Sequence, residues 1–489
     1  MSLVVVSNRL PYALSRAEDG SFSVEPGSGG LVSALRPVLQ NRGGRWIGWS
    51  GVPSEELGDA GSVFEGARRS YGYELVPVPL SAAEQADFYY GFSNEVVWPL
   101  FHDMPSQCRF LPRYWSAYQT VNRRFAEVIA RDARADDFVW VHDYHLVLVA
   151  RELRALGFPA HTGFFLHIPF PPIDLFLKLP WRFPILKALL EYDLVGFQTV
   201  RDRRNFLECV RRLLPEAMVG GKGDVRTVEL DGRTVRVGAF PISIAAAEFE
   251  ARGRDAGVLE KLRALRAAEP DRRMVLGIDR LDYTKGIPEK FESFRALLRR
   301  EPDLHRRVTL VQVVVPSRED IPGYQDQKVA IERLVGEING QFTRSGWVPI
   351  HYIYRALEGV QLTAYYLAAD VALVTPLKDG MNLVCKEYCA TRSDEDGVLV
   401  LSEFAGAAAE MQRGALLVNP YDTEGVADTI RRALEMPRGA RRSRMRRMRR
   451  AVFENDIYRW VDRFLDAAIA RDLHDFPVVE EYLPEAVRP

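Results

Sequence analysis

Residues 370–388 read DVALVTPLKDGMNLVCKEY. Asp370 to Lys378 have the β-branched and aliphatic density of a strand buried on both faces, as in a parallel sheet. The chain leaves that strand through Asp379-Gly380, and a helix is expected from near Met381, with Lys386 and Glu387 in its first two turns. A helix that starts at a strand end aims free backbone N–H groups outward, where they bind phosphate or sugar oxygens. Asp379 is placed to accept hydrogen bonds from sugar hydroxyls, and Glu387 to reach a second polyol such as a ribose. The same two residues also read as an acidic N-cap and an exposed helix acid.

Outward from this stretch, short apolar runs alternate with longer helical patterns. LVVVSN (3–8), DFVWVHD (137–143) and HTGFFLHIP (161–169) read as strands in the first half. RMVLGIDR (273–280), RVTLVQVVVP (307–316), GVLVLSE (397–403) and ALLVNPYD (415–422) join 370–378 in the second. Strands separated by crossover helices, occurring twice, imply an α/β protein with two doubly wound parallel sheets. At 489 residues the chain is too long for one ordinary core, which agrees with two domains. The expected boundaries are 1–242, 243–455, and a C-terminal helix and tail at 456–489 that packs back on the first domain. RTVELDGRTVRV (226–237) carries a hairpin signal at Asp231-Gly232 just before the boundary. Two such domains can turn their strand ends, and therefore their ligand sites, toward a common cleft.

Composition narrows the classes of partner. With 65 basic and 66 acidic residues the formal charge is -1, so no global field draws nucleic acid or anionic membrane, and an anionic ligand must be held locally. Hydrophobic residues at 47% and charged residues at 27% are the balance of a soluble protein. Four cysteines, at 108, 209, 385 and 389, fit no disulfide framework or metal pattern, which suits a reducing compartment. The opening MSLVVVSNRLP lacks a secretory leader, no apolar run approaches the ~18 residues of a membrane span, and a cytoplasmic location is expected.

GIDRLDYTKGIPEK (277–290) brings Arg280 and Lys285 into one loop at another strand end. Two cations beside a helix start suit a diphosphate, whose leaving-group charge they neutralise. With Asp279 and Asp282 they also read as a local salt-bridge cluster. GSGGLVSAL (27–35) is neither a dinucleotide fingerprint nor a P-loop, and reads as a ligand-approaching glycine loop or a plain turn. Arg9 follows the first strand. His142 and His145 lie three apart without a third ligand, so no metal is expected, and His167 ends another strand. Ser50 lacks the surrounding pattern of a nucleophile elbow. The arginine-rich 438–450, without interleaved aromatics, reads as a solvated basic helix face.

SNRLP, GGLVSAL, WIGWSG, FSNEVVWPLFH, VWVHDYHL, FFLHIPFPP, DRLDYTKGIPEKF, PSRED, PLKDGMNLVCKEY and LSEFAGAA run in order from residue 7 to residue 408. This series resembles the motifs of the trehalose-6-phosphate synthase family (GT20), retaining glycosyltransferases of the GT-B fold, in which two Rossmann-like domains face each other across a cleft. Two departures are Lys378 where arginine is usual and Cys385 where alanine is usual. The resemblance implies that Asp379 and the amides of Gly380, Met381, Asn382 and Leu383 hold the donor glucose and its phosphate, and Glu387 the ribose. Arg280 and Lys285 would hold the diphosphate, with the Gly29-Gly30 loop closing over it, and His167 would meet the donor sugar near its reacting carbon. Arg9 and Arg318 would grip the phosphate of glucose 6-phosphate, Tyr89 (or its neighbour Tyr90) and Trp98 would line that pocket with one of Trp46 and Trp49, and Asp143 would bind the acceptor hydroxyls.

The implied reaction moves glucose from UDP-glucose or GDP-glucose to glucose 6-phosphate with retention, without cofactor or metal, in a protein that also suits a homo-oligomer. Two alternatives stand beside it. One is a transferase on the same scaffold with another phosphorylated acceptor, such as glycerol 3-phosphate or an aminocyclitol phosphate; the other is a catalytically silent sugar-phosphate-binding regulator.

Overall fold

The computed structural model describes residues 2–16, 22–26, 30–56, 72–159, 161–221, 223–317, 322–470 and 476–484. The chain packs as two units, Met1–Ile242 with Tyr458–Val479, and Ser243–Ile457 with Glu480–Pro489.

The first unit is built on nine strands: β1 (Leu3–Arg9), β4 (Arg45–Trp49), β5 (Glu74–Pro77), β6 (Phe138–His142), β7 (His161–Phe165), β8 (Leu194–Phe197), β9 (Met218–Gly220), β10 (Val225–Leu230) and β11 (Arg233–Ala239). A separate hairpin pairs β2 (Tyr12–Arg16) with β3 (Phe22–Pro26). The sheet order is β5-β4-β1-β6-β7-β8-β11-β10-β9, parallel from β5 through β11 and antiparallel at β10 and β9. Leu230 and Arg233 pair across Asp231-Gly232, whose φ values of 49° and 76° give the right-twisted two-residue hairpin that the sequence signals. The uninterrupted burial of β6 follows from helices on both sheet faces.

One of those helices comes from the far end of the chain. Ile457–Ile469 lays Trp460 and Phe464 against this sheet: Phe464 stacks on Trp140 with centroids 4.4 Å apart, and Trp460 Nε1 donates to the Phe240 carbonyl at 3.0 Å. A Cβ on Gly196 of β8 would come within 2.7 Å of the Phe464 ring, so the glycine lets the helix settle. The tail then divides between the units, Arg413 pairing with Glu480 at 2.7 Å in the second.

The second unit holds β12 (Arg273–Arg280), β13 (Val308–Val315), β14 (Ile350–Tyr354), β15 (Val371–Val374), β16 (Val398–Ser402) and β17 (Leu416–Val418). All are parallel, in the order β14-β13-β12-β15-β16-β17. Arg438–Glu454 forms one helix that buries Met445 and Met448, and much of its charge is met within the unit: Arg441 by Asp396, Arg446 by Glu395, Arg449 by Glu250. No helix among the described residues is long and apolar enough to cross a membrane.

Asp279, next to the end of β12, is buried with Lys290. Its carboxylate accepts from Lys290 Nζ and, at 2.9 Å, from Gln312 Nε2. A buried charge is tolerable only when paired and hydrogen-bonded in this way, and removing one partner strands the other. Lys290→Met should therefore lower stability by about 3 to 5 kcal/mol, whereas Lys290→Met/Asp279→Leu should recover most of the loss. Thermal melts of the two variants against the parent check this.

Candidate active site

In the second unit the strand order reverses between β12 and β15. Ligands of doubly wound sheets bind outside the carboxyl ends of the strands at that reversal. Here β12 and β15 pair only at Val275–Val371 and Leu276–Ala372, so the strands part beyond them. The loops that continue them are held together by backbone: Leu377 N donates to the Thr284 carbonyl at 2.8 Å. Asp282 caps the Tyr283–Lys285 turn by accepting from Thr284 N and Oγ1, and Gly286 follows at φ 63°. A Cβ there would lie 2.6 Å from the Thr375 carbonyl, so conformation and space both require glycine.

This arrangement brings Lys285 Nζ to 2.7 Å from Asp379 Oδ2, across 94 residues of sequence. Asp379 also accepts from Asn382 Nδ2 at 3.2 Å. Bonds from Gly406 N to the Asp379 carbonyl and from Ala407 N to the Met381 carbonyl fasten the turn from the other side. The helix is Leu383–Thr391 and its N-cap is Asn382, at φ 90°, accepting from Cys385 N at 3.2 Å. The helix begins two residues beyond Met381, so the cap position falls on Asn382, and the rival reading of Asp379 as an acidic N-cap is not met. Arg280, the last residue of β12, is exposed.

Glu387 is half-buried and accepts from the Tyr366 hydroxyl at 2.7 Å through one oxygen. Burial pushes its carboxyl above the usual range, against the opposing pull of that hydrogen bond and of Arg252. Lys386 is buried and pairs with Glu410.

The first unit reverses between β1 and β6, and its candidates gather there. Arg9, the last residue of β1, lies with its guanidinium 4.5 Å from the centroid of Trp49 and 5.6 Å from that of Tyr89, a cation–π frame that holds the charge while leaving it exposed. Trp49 borders Arg9, whereas Trp46 donates to Ser7 Oγ at 2.7 Å within the core; Tyr89 faces Arg9 and stacks on His145, with centroids 5.9 Å apart. Tyr89 sits on a thirteen-residue π-helix, Gln85–Val97, capped upstream by the Ser81/Glu84 box; such segments are rare and often lie at functional sites. Trp98 packs on His102 and Tyr144.

Asp143 directly follows β6 with φ 74° and ψ 165°, a region occupied almost only by glycine. Its carboxylate accepts from His167 N at 3.2 Å. His167 Nε2 lies 3.1 Å from Nδ1 of the buried His142. Burial takes the pKa of His167 down to about 3 and holds that of His142 well below its ordinary value, where the neighbouring His167 depresses it further. Both rings are therefore neutral.

Gly30 opens the helix Gly30–Arg42, whereas Gly29 and Arg318 lie outside the described residues. Among the described residues no group of three His, Cys, Asp or Glu side chains is arranged to hold a metal ion. Asn382 as cap, Tyr366 behind Glu387 and His142 behind His167 were not assigned these parts from sequence. Only Asn382 carries a local signal, as a residue type favoured at the N-cap.

The family model for Glycosyltransferase family 20 matches residues 1–470. A trehalose-6-phosphate synthase of Mycobacterium sp. (strain JLS) is 47% identical over 470 residues, covering 95% of each chain. An α,α-trehalose-phosphate synthase (UDP-forming) from Burkholderia xenovorans, solved in complex with glucose-6-phosphate, superposes with a TM-score of 0.86 at 35% identity, covering 96% of this chain and all of that one. A trehalose-6-phosphate structure from E. coli bound with UDP-2-fluoro glucose gives 0.85 at 36% identity, covering 96% and 99%. With the family model matched over nearly its whole length and a relative 47% identical over 95% of each chain, the chain belongs to glycosyltransferase family 20.

Proposed function

We propose that the chain transfers glucose from UDP-glucose to glucose 6-phosphate with retention, forming trehalose 6-phosphate. The observation that carries this reading is the Lys285–Asp379 pair at the reversal of the second sheet. A lysine ammonium has three donors, so Lys285 can hold Asp379 and still bind a diphosphate oxygen. Arg280 ends β12, on the loop that leads to Lys285. Asp379 and the amides of Gly380–Leu383 take the glucose hydroxyls and phosphate, and the second oxygen of Glu387 takes the ribose. The likeness to a UDP-forming relative favours UDP over GDP.

In the first unit Arg9, framed by Trp49 and Tyr89, takes the acceptor phosphate; Arg318, outside the described residues, keeps the second-cation role that the family resemblance implies. Trp98 lines the pocket, Asp143 binds acceptor hydroxyls and His167 meets the donor sugar. A front-face route accounts for retention: the departing phosphate oxygen accepts the proton of the attacking hydroxyl as the new C–O bond forms on the same face. The residues then contribute positioning and neutralisation of the leaving group.

A rate matrix of UDP- and GDP-glucose against glucose 6-phosphate, glycerol 3-phosphate and an aminocyclitol phosphate tests the assignment; turnover with another acceptor alone would overturn it, and no turnover with any pair would leave a binding protein. Lys285→Ala should lower turnover about 30- to 1000-fold, the equivalent of roughly 2 to 4 kcal/mol of barrier, with a much smaller change in the acceptor KM. In Arg9→Ala the acceptor KM should rise while nucleotide affinity, read by calorimetry, stays near the parent value. Asp143→Gly relieves a backbone strain of order 1 to 3 kcal/mol, so its Tm should hold or rise while turnover falls.

A further inference from the structure

His142 is the last residue of β6 and is fully buried. Its ring is packed by Trp140, with centroids 4.6 Å apart, and bordered by Phe165 and Trp460. Its Nδ1 meets His167 Nε2 at 3.1 Å, and its own Nε2 is buried with no hydrogen-bond partner. His167 lies two residues beyond β7, is only half-buried, and its Nδ1 has no partner among the described residues.

Two neutral imidazoles in contact share one proton between Nδ1 and Nε2, and each possibility fixes both rings. If His167 donated, His142 would carry its remaining proton on Nε2, leaving a buried N–H unsatisfied among aromatic rings. If His142 donates through Nδ1, the buried Nε2 is a bare lone pair. Orphaned buried N–H groups are the rarer and costlier case. The second arrangement is therefore preferred, and in it His167 Nε2 is an acceptor, which puts the proton of His167 on Nδ1.

We propose that His142 is a positioning residue for sugar transfer: by donating from Nδ1 to His167 Nε2, it fixes His167 as the tautomer whose Nδ1–H donates a hydrogen bond to an oxygen of the transferred sugar. The inference rests on the reading that His167 meets the donor sugar. No proton is transferred; the ring supplies a fixed dipole at the site, with its direction decided by a residue that touches no substrate. Trp140 and Trp460 hold the His142 ring in place, so the C-terminal helix contributes to the site through this pair.

The test joins spectroscopy with kinetics. In the full-length protein labelled with 15N-histidine, long-range 1H–15N correlation should show His167, identified by the signal lost in His167→Ala, protonated at Nδ1. A signal protonated at Nε2 in the parent protein overturns the proposal without any variant at His142. His142→Phe fills the space without a donor and should lower kcat with UDP-glucose and glucose 6-phosphate about tenfold or more, the loss of one useful hydrogen bond. Tm and the acceptor KM should change little. His142→Asn returns an N–H donor near Nδ1 and should restore most of kcat together with the Nδ1-protonated signal. Parent-like kcat in His142→Phe, or equal loss in folded His142→Asn, overturns the proposal. His167→Ala separates the two readings: unchanged kcat there removes His167 from the donor site and the proposal with it, whereas a loss there without one in His142→Phe refutes the coupling alone.

Discussion

Each sheet is wound outward in both directions from its first strand, and this reversal governs where polar groups can gather. Crossover helices cover the faces on either side of the reversal, but beside it two neighbouring strands send their following loops apart. In the second unit β12 and β15 share only two residue pairs before separating. Backbone N–H groups and charged side chains at the strand ends then face an opening instead of a helix. The Lys285–Asp379 pair spans that opening, and the bonds around Thr284, Gly406 and Ala407 hold its two loops in register.

The strand ends are held rigidly from behind. Asp279 is buried immediately before Arg280 and accepts from both Lys290 and Gln312, which fixes the strand end that carries that cation. The first unit uses aromatic surface for the same purpose. Trp49 and Tyr89 frame Arg9, and the rings of Trp140, Phe165 and Trp460 surround the two histidines. Aromatic surface orients a charge or an imidazole without neutralising it, which suits groups that must still receive an anion or a sugar.

Strain is concentrated where polar groups are presented. Asp143 at φ 74° and Asn382 at φ 90° are non-glycine residues in conformations that side chains disfavour, and each immediately precedes a helical segment at one of the two reversals. Surrounding hydrogen bonds over-determine both: Asp143 N donates to the Phe165 carbonyl, and the Asn382 side chain is shared between Asp379 and Cys385 N.

The sequence by itself determined the α/β class, the two parallel sheets and the hairpin at Asp231-Gly232, because period, strand density and turn chemistry are local properties of consecutive residues. It also marked the charged ends of β1 and β12, at Arg9 and Arg280, whereas the strand read as running to Lys378 stops at Val374 and leaves Asp379 in the loop beyond it. Tertiary structure decided which of these groups meet. Lys285 finds Asp379 rather than the nearer Asp279 or Asp282, since Asp279 is drawn inward by Lys290 and Asp282 is occupied in capping its own turn. The π-helix under Tyr89, the choice of Trp49 over Trp46 beside Arg9, and the contact between His142 and His167 are likewise invisible in the chain order. Each depends on side chains brought together from 25 to 94 residues apart or on packing against a neighbouring element, and short-range patterns carry no record of such partners.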